Sequence, residues 1–394
     1  MKKLEERLQI VENHVKNNDI TVMILGLGSV GTYLLDFLVS RNDEAMKIVV
    51  VGRNAEKMEN NVNIVRISAL IRKLNRSQIV LESGVDFDNV EQIAECIKKY
   101  QPDFIVNSSR VYSGLKYGTI SWNNLRAYGI WSPLAIKYIR NIMEACEIAD
   151  MSGIVINTSY SDAVIPWLKT AGKAFPDFGS GNMNHLVPRI KYAVAEIKEI
   201  PDFWNVDVMF ATAHFHDVVI SKEGQNEGVT QLLKVYYQGE ELDIDQNEIF
   251  NRCKIAMPTD EKRNMMNASS NYDIIVSVID AVRTGERRKI FSPGVFGEIG
   301  GYPVQIDATG EGLQAYIDES VFSMEEMRAA NRRSIALDGI ENVEDGALIY
   351  TDALVQKVAD AFGVELPKKV KFEEIDRVAE YIINQIIIPQ LNKK

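Results

Sequence analysis

The stretch Thr21-Val-Met-Ile-Leu-Gly-Leu-Gly-Ser-Val-Gly-Thr32 constrains the fold more than any other part of the chain. An apolar, β-branched run from Ile20 to Leu25 meets Gly26, Gly28 and Gly31, then continues to Val39 with apolar residues at helical spacing. Strand, glycine turn, helix is the order that results. Gly26 permits a tight turn, Gly28 lets a diphosphate approach the backbone, and Gly31 lets the helix pack closely on the strand. The free N–H groups at the start of the helix present a positive dipole end to an anion. The spacing predicts a dinucleotide site built on Gly26, Gly28, Ser29, Val30 and Gly31.

A second buried strand, Met46-Lys-Ile-Val-Val-Val-Gly-Arg53, follows at the interval where such a fold meets the adenine ribose. An acidic residue there would hold the 2′-hydroxyl of NAD. This strand instead ends Gly52-Arg53-Asn54, with Lys57 one turn on. A guanidinium suits the 2′-phosphate of NADP. The expected cofactor is NADP, with NAD the alternative, and Arg53, Asn54 and Lys57 join the cofactor-binding set.

Further along, helical and strand patterns alternate: a basic helix over 58–75, a strand over 77–82, an amphipathic helix over 86–100 and a strand over 102–107. That alternation predicts a doubly wound parallel sheet, a Rossmann domain over 18–158. Asn107-Ser-Ser-Arg110 through Lys116 to Trp122 reads as a mobile loop at the carboxyl end of a strand, where open α/β sheets place ligands. A helix over 134–149 and a strand over 153–157 complete this part. Beyond residue 158 the pattern changes to an α+β domain over 159–394, expected to carry substrate and to dimerise. Val206–Ile220 reads as one long strand, which would set His214 and His216 on one face. Strands are expected over 289–308, and helices near 244–254, 270–285, 323–337, 351–362 and 372–390. Ahead of the first strand, residues 1–17 form an amphipathic helix that must dock on the body of the protein or on a second subunit.

The chain has 394 residues and a formal net charge of −11, which argues against nucleic acid and anionic membranes as partners. No apolar run reaches transmembrane length, and the N-terminus lacks an apolar signal core. Cys96, Cys146 and Cys253 are odd in number and widely spaced, as in reduced cytoplasmic proteins. A cytoplasmic homodimer with a small anionic substrate and no metal is the expectation.

Ile154-Val-Ile-Asn157-Thr-Ser-Tyr-Ser-Asp162, Gly179 through Arg189, and Thr212-Ala-His214 together resemble the lactate/malate dehydrogenase superfamily, which includes the NAD-dependent family 4 glycosidases. The resemblance covers roughly residues 20–220 and implies roles. Arg110 would polarise a carbonyl or clamp a second acidic group, with Lys116 as a second loop cation. Asn157 would bond the reacting oxygen and the nicotinamide edge, Arg189 would hold a carboxylate, and His214 would exchange the proton. There are departures. The family sets an Asp three residues before the carboxylate-binding Arg, to orient the His. Leu186 stands there, with Asn184 and His185 as neighbours. Asn182 stands where the glycosidase branch has a metal-binding Cys. The first domain also resembles the NADP-binding half of saccharopine-dehydrogenase-like reductases, through Val51–Lys57 and Asn107-Ser-Ser109; Asn107 and Ser108 then belong beside the cofactor. The resemblance implies an NADP-dependent oxidoreductase acting on a small carboxylate-bearing 2-hydroxy, 2-oxo or 2-imino compound. The alternatives are redox-assisted glycoside cleavage with bound NAD, and a non-catalytic NADP sensor.

Overall fold

The computed structural model describes residues 1–393. The first half alternates strand and helix: α1 (Leu4–Lys16), β1 (Ile20–Leu25), α2 (Ser29–Ser40), β2 (Met46–Gly52), α3 (Ala55–Ile71), β3 (Gln78–Ser83), α4 (Val90–Tyr100) and β4 (Phe104–Asn107). It continues through α5 (Gly114–Asn124), α6 (Ser132–Ile148), β5 (Ile154–Asn157), α7 (Ser161–Thr170) and β6 (Phe178–Gly179). The six strands form one parallel sheet in the order β3-β2-β1-β4-β5-β6. This is the doubly wound α/β arrangement, with its reversal of strand order between β1 and β4. β1 and β4 are buried at every residue, as a parallel sheet covered on both faces requires.

The second half is α+β. It runs α8 (Met183–Lys198), β7 (Asp207–Ala211), α9 (His214–Glu223), β8 (Leu232–Tyr237), β9 (Glu240–Glu241), α10 (Gln246–Arg252) and α11 (Asn264–Thr284). Then come β10 (Arg287–Pro293), β11 (Gly301–Asp307), β12 (Gln314–Ile317), α12 (Met324–Leu337), β13 (Ile340–Glu344), β14 (Ala347–Tyr350), α13 (Asp352–Phe362), β15 (Lys369–Lys371) and α14 (Ile375–Ile382). Its strands form three small antiparallel sheets, β7-β8-β9, β10-β11-β12 and β13-β14-β15. α11 lies along α2 and α1, so the two halves share a core in which Val22, Ile24, Leu34 and Leu38 meet Ile274, Ile275 and Val278.

Two expectations change and one open alternative is decided. The run 206–220 is not one strand: β7 stops at Ala211 and α9 begins at His214. The cause is tertiary, because the Asp162 carboxylate accepts the His214 backbone N–H at 3.0 Å and so caps a helix it does not belong to. His214 and His216 therefore do not share a strand face. The stretch 107–122, read as a loop, is largely helical as α5. Finally, α1 docks on its own subunit. Buried Arg7 binds Asp177 at 2.5 Å and donates to the Gly153 carbonyl at 2.7 Å, while Glu12 accepts from Leu313 N at 2.9 Å. Among the described residues no helix is long and apolar enough to cross a membrane.

Candidate active site

A cavity of about 800 Å3 opens above the carboxyl ends of β1 and β4. Its floor is the glycine turn. Gly26 has φ +97, and a Cβ there would stand 3.0 Å from the Ser109 backbone. A Cβ on Gly31 would lie 2.2 Å from the Gly26 carbonyl oxygen, so α2 could not pack so closely with any other residue. Around Gly28, by contrast, a Cβ would meet nothing within 4 Å. The turn is thus tight where it packs and open where a diphosphate would approach, with no side chain capping α2. Ser108 Oγ donates to the Gly26 carbonyl at 2.6 Å, and Asn264 at the start of α11 donates to Ser29 Oγ at 2.6 Å.

Gly26, Gly28, Ser29, Val30, Arg53, Asn54, Lys57 and Ser108 all line this cavity. The Arg53 side chain is 61% exposed at its mouth, with Asp86 3.8 Å away. Asn54 has a second task, since its side chain caps α3 by accepting from Lys57 N at 2.8 Å. Asn107 is not in the wall. Its amide donates to Asn157 Oδ1 at 2.9 Å and its oxygen accepts from Ser109, which makes it a buttress beneath the turn. Asn157 is likewise fully buried, its amide spent on the Ser159 carbonyl and Ser161 Oγ. The expected contact of Asn157 with substrate does not stand: every polar group of that side chain is engaged inside the protein.

Arg110, Arg189 and His214 do converge on the cavity, whereas Lys116 and His216 lie outside its wall. His214, in the first turn of α9, is the best-engineered group. Its Nδ1 lies 2.7 Å from Asp338 Oδ2, and Asp338 is fully buried. The same carboxylate accepts from the Tyr160 hydroxyl at 2.6 Å and from the Tyr128 backbone N–H at 2.7 Å. A carboxylate can only accept, so Nδ1 carries a proton and Nε2 is the atom left to exchange one. The rings of Tyr128 and Tyr160 stand edge-on to the imidazole at 4.9 and 5.1 Å. Tyr160 holds this position at φ +44, a left-handed conformation that costs energy and recurs at functional sites. Burial alone would lower the His214 pKa, but the charges and hydrogen bond of Asp338, then Asp162, raise it above the ordinary value. The acid missing at Leu186 is therefore supplied by Asp338, from the other end of the chain.

His216 is a structural residue. It is buried, with Nε2 donating to the Asn226 carbonyl at 3.2 Å and Nδ1 2.7 Å from Ser334 Oγ, and burial depresses its pKa to about 4. Arg189 is also buried and donates to the carbonyls of Cys253 and Ile255 and to Met257 Sδ. It makes no ion pair among the described residues. Asp217, one turn after His214, lines the same wall, and burial pushes its pKa up to about 7. Lys222 and Arg263 add two cations to the rim. Sequence reasoning missed Asp338, Asp217, Tyr128 and Tyr160. The nearest signal was Asp338-Gly339, a lone acid closing a helix where the dipole disfavours one. No three His, Cys, Asp or Glu side chains converge as a metal site among the described residues.

Residues 22–117 match the saccharopine dehydrogenase NADP binding domain. That segment is a nicotinamide-cofactor-binding domain, with NADP favoured. No curated protein matches the sequence. The fold resembles malate dehydrogenase from Plasmodium falciparum, at 13% identity and TM-score 0.51, covering 87% of this chain and 99% of that one. It also resembles lactate dehydrogenase from Eimeria maxima with NADH and oxamate, at 14% identity and TM-score 0.53, covering 81% and 93%. Malate dehydrogenase from Aeropyrum pernix gives 15% identity and TM-score 0.52 over 80% and 97%. The likeness to these dehydrogenases is one of fold, over four fifths or more of the chain.

Proposed function

We propose that the chain is an NADP-dependent oxidoreductase that interconverts a small carboxylate-bearing 2-hydroxy or 2-amino compound with its 2-oxo or 2-imino partner. The reading is carried by one observation: the Asp338–His214 pair, with Nε2 free, sits in the cavity whose floor is the glycine turn. The residues of the turn fit the cofactor: Gly28 leaves the cradle open, and Arg53 and Lys57 offer cations to a 2′-phosphate. When bound, the cofactor would take up the hydride in oxidation and supply it in reduction. His214 Nε2 takes the substrate proton in oxidation and returns it in reduction, and Asp338 stabilises the imidazolium between the two. Arg189 binds the substrate carboxylate, and Arg110, from the segment just before α5, lines the same cavity with its guanidinium laid against Gly114.

Fluorescence titration with NADPH and NADH tests the cofactor reading: tighter NADPH binding is expected, and no binding of either would refute it. His214→Ala is expected to leave NADPH binding intact and abolish turnover; unimpaired turnover would remove His214 from the mechanism. We further propose a cytoplasmic homodimer, on the free buried thiols of Cys96, Cys146 and Cys253 and the exposed Ile64, Ile67, Leu70 and Ile71 of α3. Sizing in solution tests the dimer.

A further inference from the structure

Inside the cavity, polar atoms without partners are concentrated at one spot. His185 Nε2, Arg189 Nε, Asp217 Oδ1 and Ser221 Oγ are buried, lack any hydrogen-bond partner among the described residues, and belong to the same wall. His185 and Arg189 are four residues apart on α8; Asp217 and Ser221 are four apart on α9. Residues so spaced share a helix face, and α8 packs directly on α9. Leaving one such atom unsatisfied costs free energy, so a group of them facing a cavity marks a binding surface.

Two of the four belong to buried ionisable groups of opposite kind, a guanidinium and a carboxyl. Arg189 is 3% exposed and meets only neutral acceptors, the carbonyls of Cys253 and Ile255 and the sulfur of Met257. Asp217 is 5% exposed, and the nearest basic side chain to it is that of His185, with Nδ1 3.9 Å from Oδ2; burial lowers the His185 pKa to about 3, so this imidazole is neutral and offers Asp217 no counter-charge. No ion pair joins Arg189 to Asp217. Each is held out of water without a direct counterion, which disfavours its charged form until a ligand of opposite charge completes it. A simple carboxylate completes Arg189 and leaves Asp217 without a partner. A ligand carrying both a carboxylate and an ammonium completes both. Asp217 is also three residues after His214 on α9, so the nitrogen it holds is presented on the face that carries the proton-exchanging imidazole.

We infer that the substrate is a zwitterion, an α-amino acid or N-substituted amino acid, with its carboxylate on Arg189 and its amino nitrogen on Asp217. This rests on the oxidoreductase reading above and narrows its 2-hydroxy or 2-amino alternatives to the amine.

The test is calorimetric titration of the full-length chain saturated with NADPH. The probes are matched pairs: L-glutamate against 2-hydroxyglutarate, L-aspartate against malate, L-phenylalanine against 3-phenyllactate. At least one amino acid is expected to bind about tenfold or more tightly than its hydroxy counterpart, the yield of one charge-assisted hydrogen bond. Asp217→Asn should abolish that preference while NADPH binding, which reports the fold, is kept. Preference for the hydroxy acids, binding of no probe, or an equal loss for both classes in Asp217→Asn overturns the inference. The wild-type comparison decides by itself if the variant does not fold. Failure to bind NADPH in the first place refutes the oxidoreductase reading instead, so the two failures are distinguishable.

Discussion

Asp338→Asn is the most searching perturbation, because it keeps shape and removes only charge and acceptor character. Asp338 Oδ1 accepts from Tyr128 N at 2.7 Å, and Oδ2 accepts from His214 Nδ1 at 2.7 Å and the Tyr160 hydroxyl at 2.6 Å. In the variant the bond to Tyr128 N orients the amide, so its NH2 group faces two donors. His214 must then move its proton to Nε2, the atom required to accept one. A charge-assisted hydrogen bond is worth about 1.5–3 kcal/mol, which is roughly a ten- to hundredfold change in the protonation equilibrium. The His214 titration should move to lower pH. The sign for stability follows from a folded pKa raised by Asp338 despite burial. The pair's linked contribution is fully present below the ordinary imidazole value near 6.5 and is lost as pH rises through the folded value. The stability gap between wild type and Asp338→Asn should therefore be widest in mild acid and narrow as pH rises. NMR titration of the ring signals, with His214 assigned by its loss in His214→Gln, measures the first effect. Urea unfolding at several pH values measures the second. A His214 midpoint that stays put or rises in Asp338→Asn would refute the account of this site.

Three further outcomes are expected. Arg53→Ala should weaken NADPH by about ten- to a hundredfold and leave NADH unchanged, measured by fluorescence titration, if the exposed guanidinium meets the 2′-phosphate. Gly28→Ala should keep the melting temperature and lose NADPH affinity, because its Cβ enters open space, whereas Gly31→Ala should cost about 1–3 kcal/mol of stability as well, its Cβ falling 2.2 Å from the Gly26 carbonyl. His216, whose pKa burial lowers from 6.5 to about 4, favours folding fully above the higher value and loses that contribution as pH falls to the lower, roughly 3 kcal/mol in all; His216→Asn should flatten the acid limb of the stability profile, measured by denaturant titration between these pH values.

How much of this the sequence disclosed follows from how local each determinant is. The glycine turn and the strands of the parallel sheet were legible because they are written in contiguous residues: buried β-branched runs, each ending at a glycine or polar break. The start of α9 was not. Phe210-Ala-Thr-Ala-His214-Phe-His216 alternates as a strand does, and only the carboxylate of Asp162, distant in sequence, turns it into a helix. The short strands β12 to β15 lack length enough for a period to register. Asn157 and Asn107 were placed correctly at strand ends, yet their side chains turn inward to each other. Position on a strand end does not specify which way a side chain is spent. Asp338 left only a faint local sign, an acid at a helix C-terminus, since its partner lies on another helix.

The position of that carboxylate also explains how the site tolerates Leu186. Leu186 is fully buried among Met183, Ile190 and other apolar side chains, so the flank of α8 that would carry an acid is committed to packing. The burden passes to α12, and that helix is braced for it. Asn331 exchanges hydrogen bonds with the Gly301 backbone, 3.1 Å from its N–H and 3.0 Å to its carbonyl. One turn on, Ser334 Oγ lies 2.7 Å from His216 Nδ1 and 3.2 Å from the Ala213 carbonyl. Four residues later Asp338 reaches His214. Ser334 and Asp338 thus grip α9 from the same face of one structure, and the buried His216 is the fixed point against which His214 is aligned. What the imidazole requires is an anchored acceptor at Nδ1, and a helix end clamped on both sides supplies it as firmly as a neighbour on α8 would. The cost is that the acid/base pair joins residues 124 apart in sequence, so its geometry stands or falls with the packing of α12 on α9.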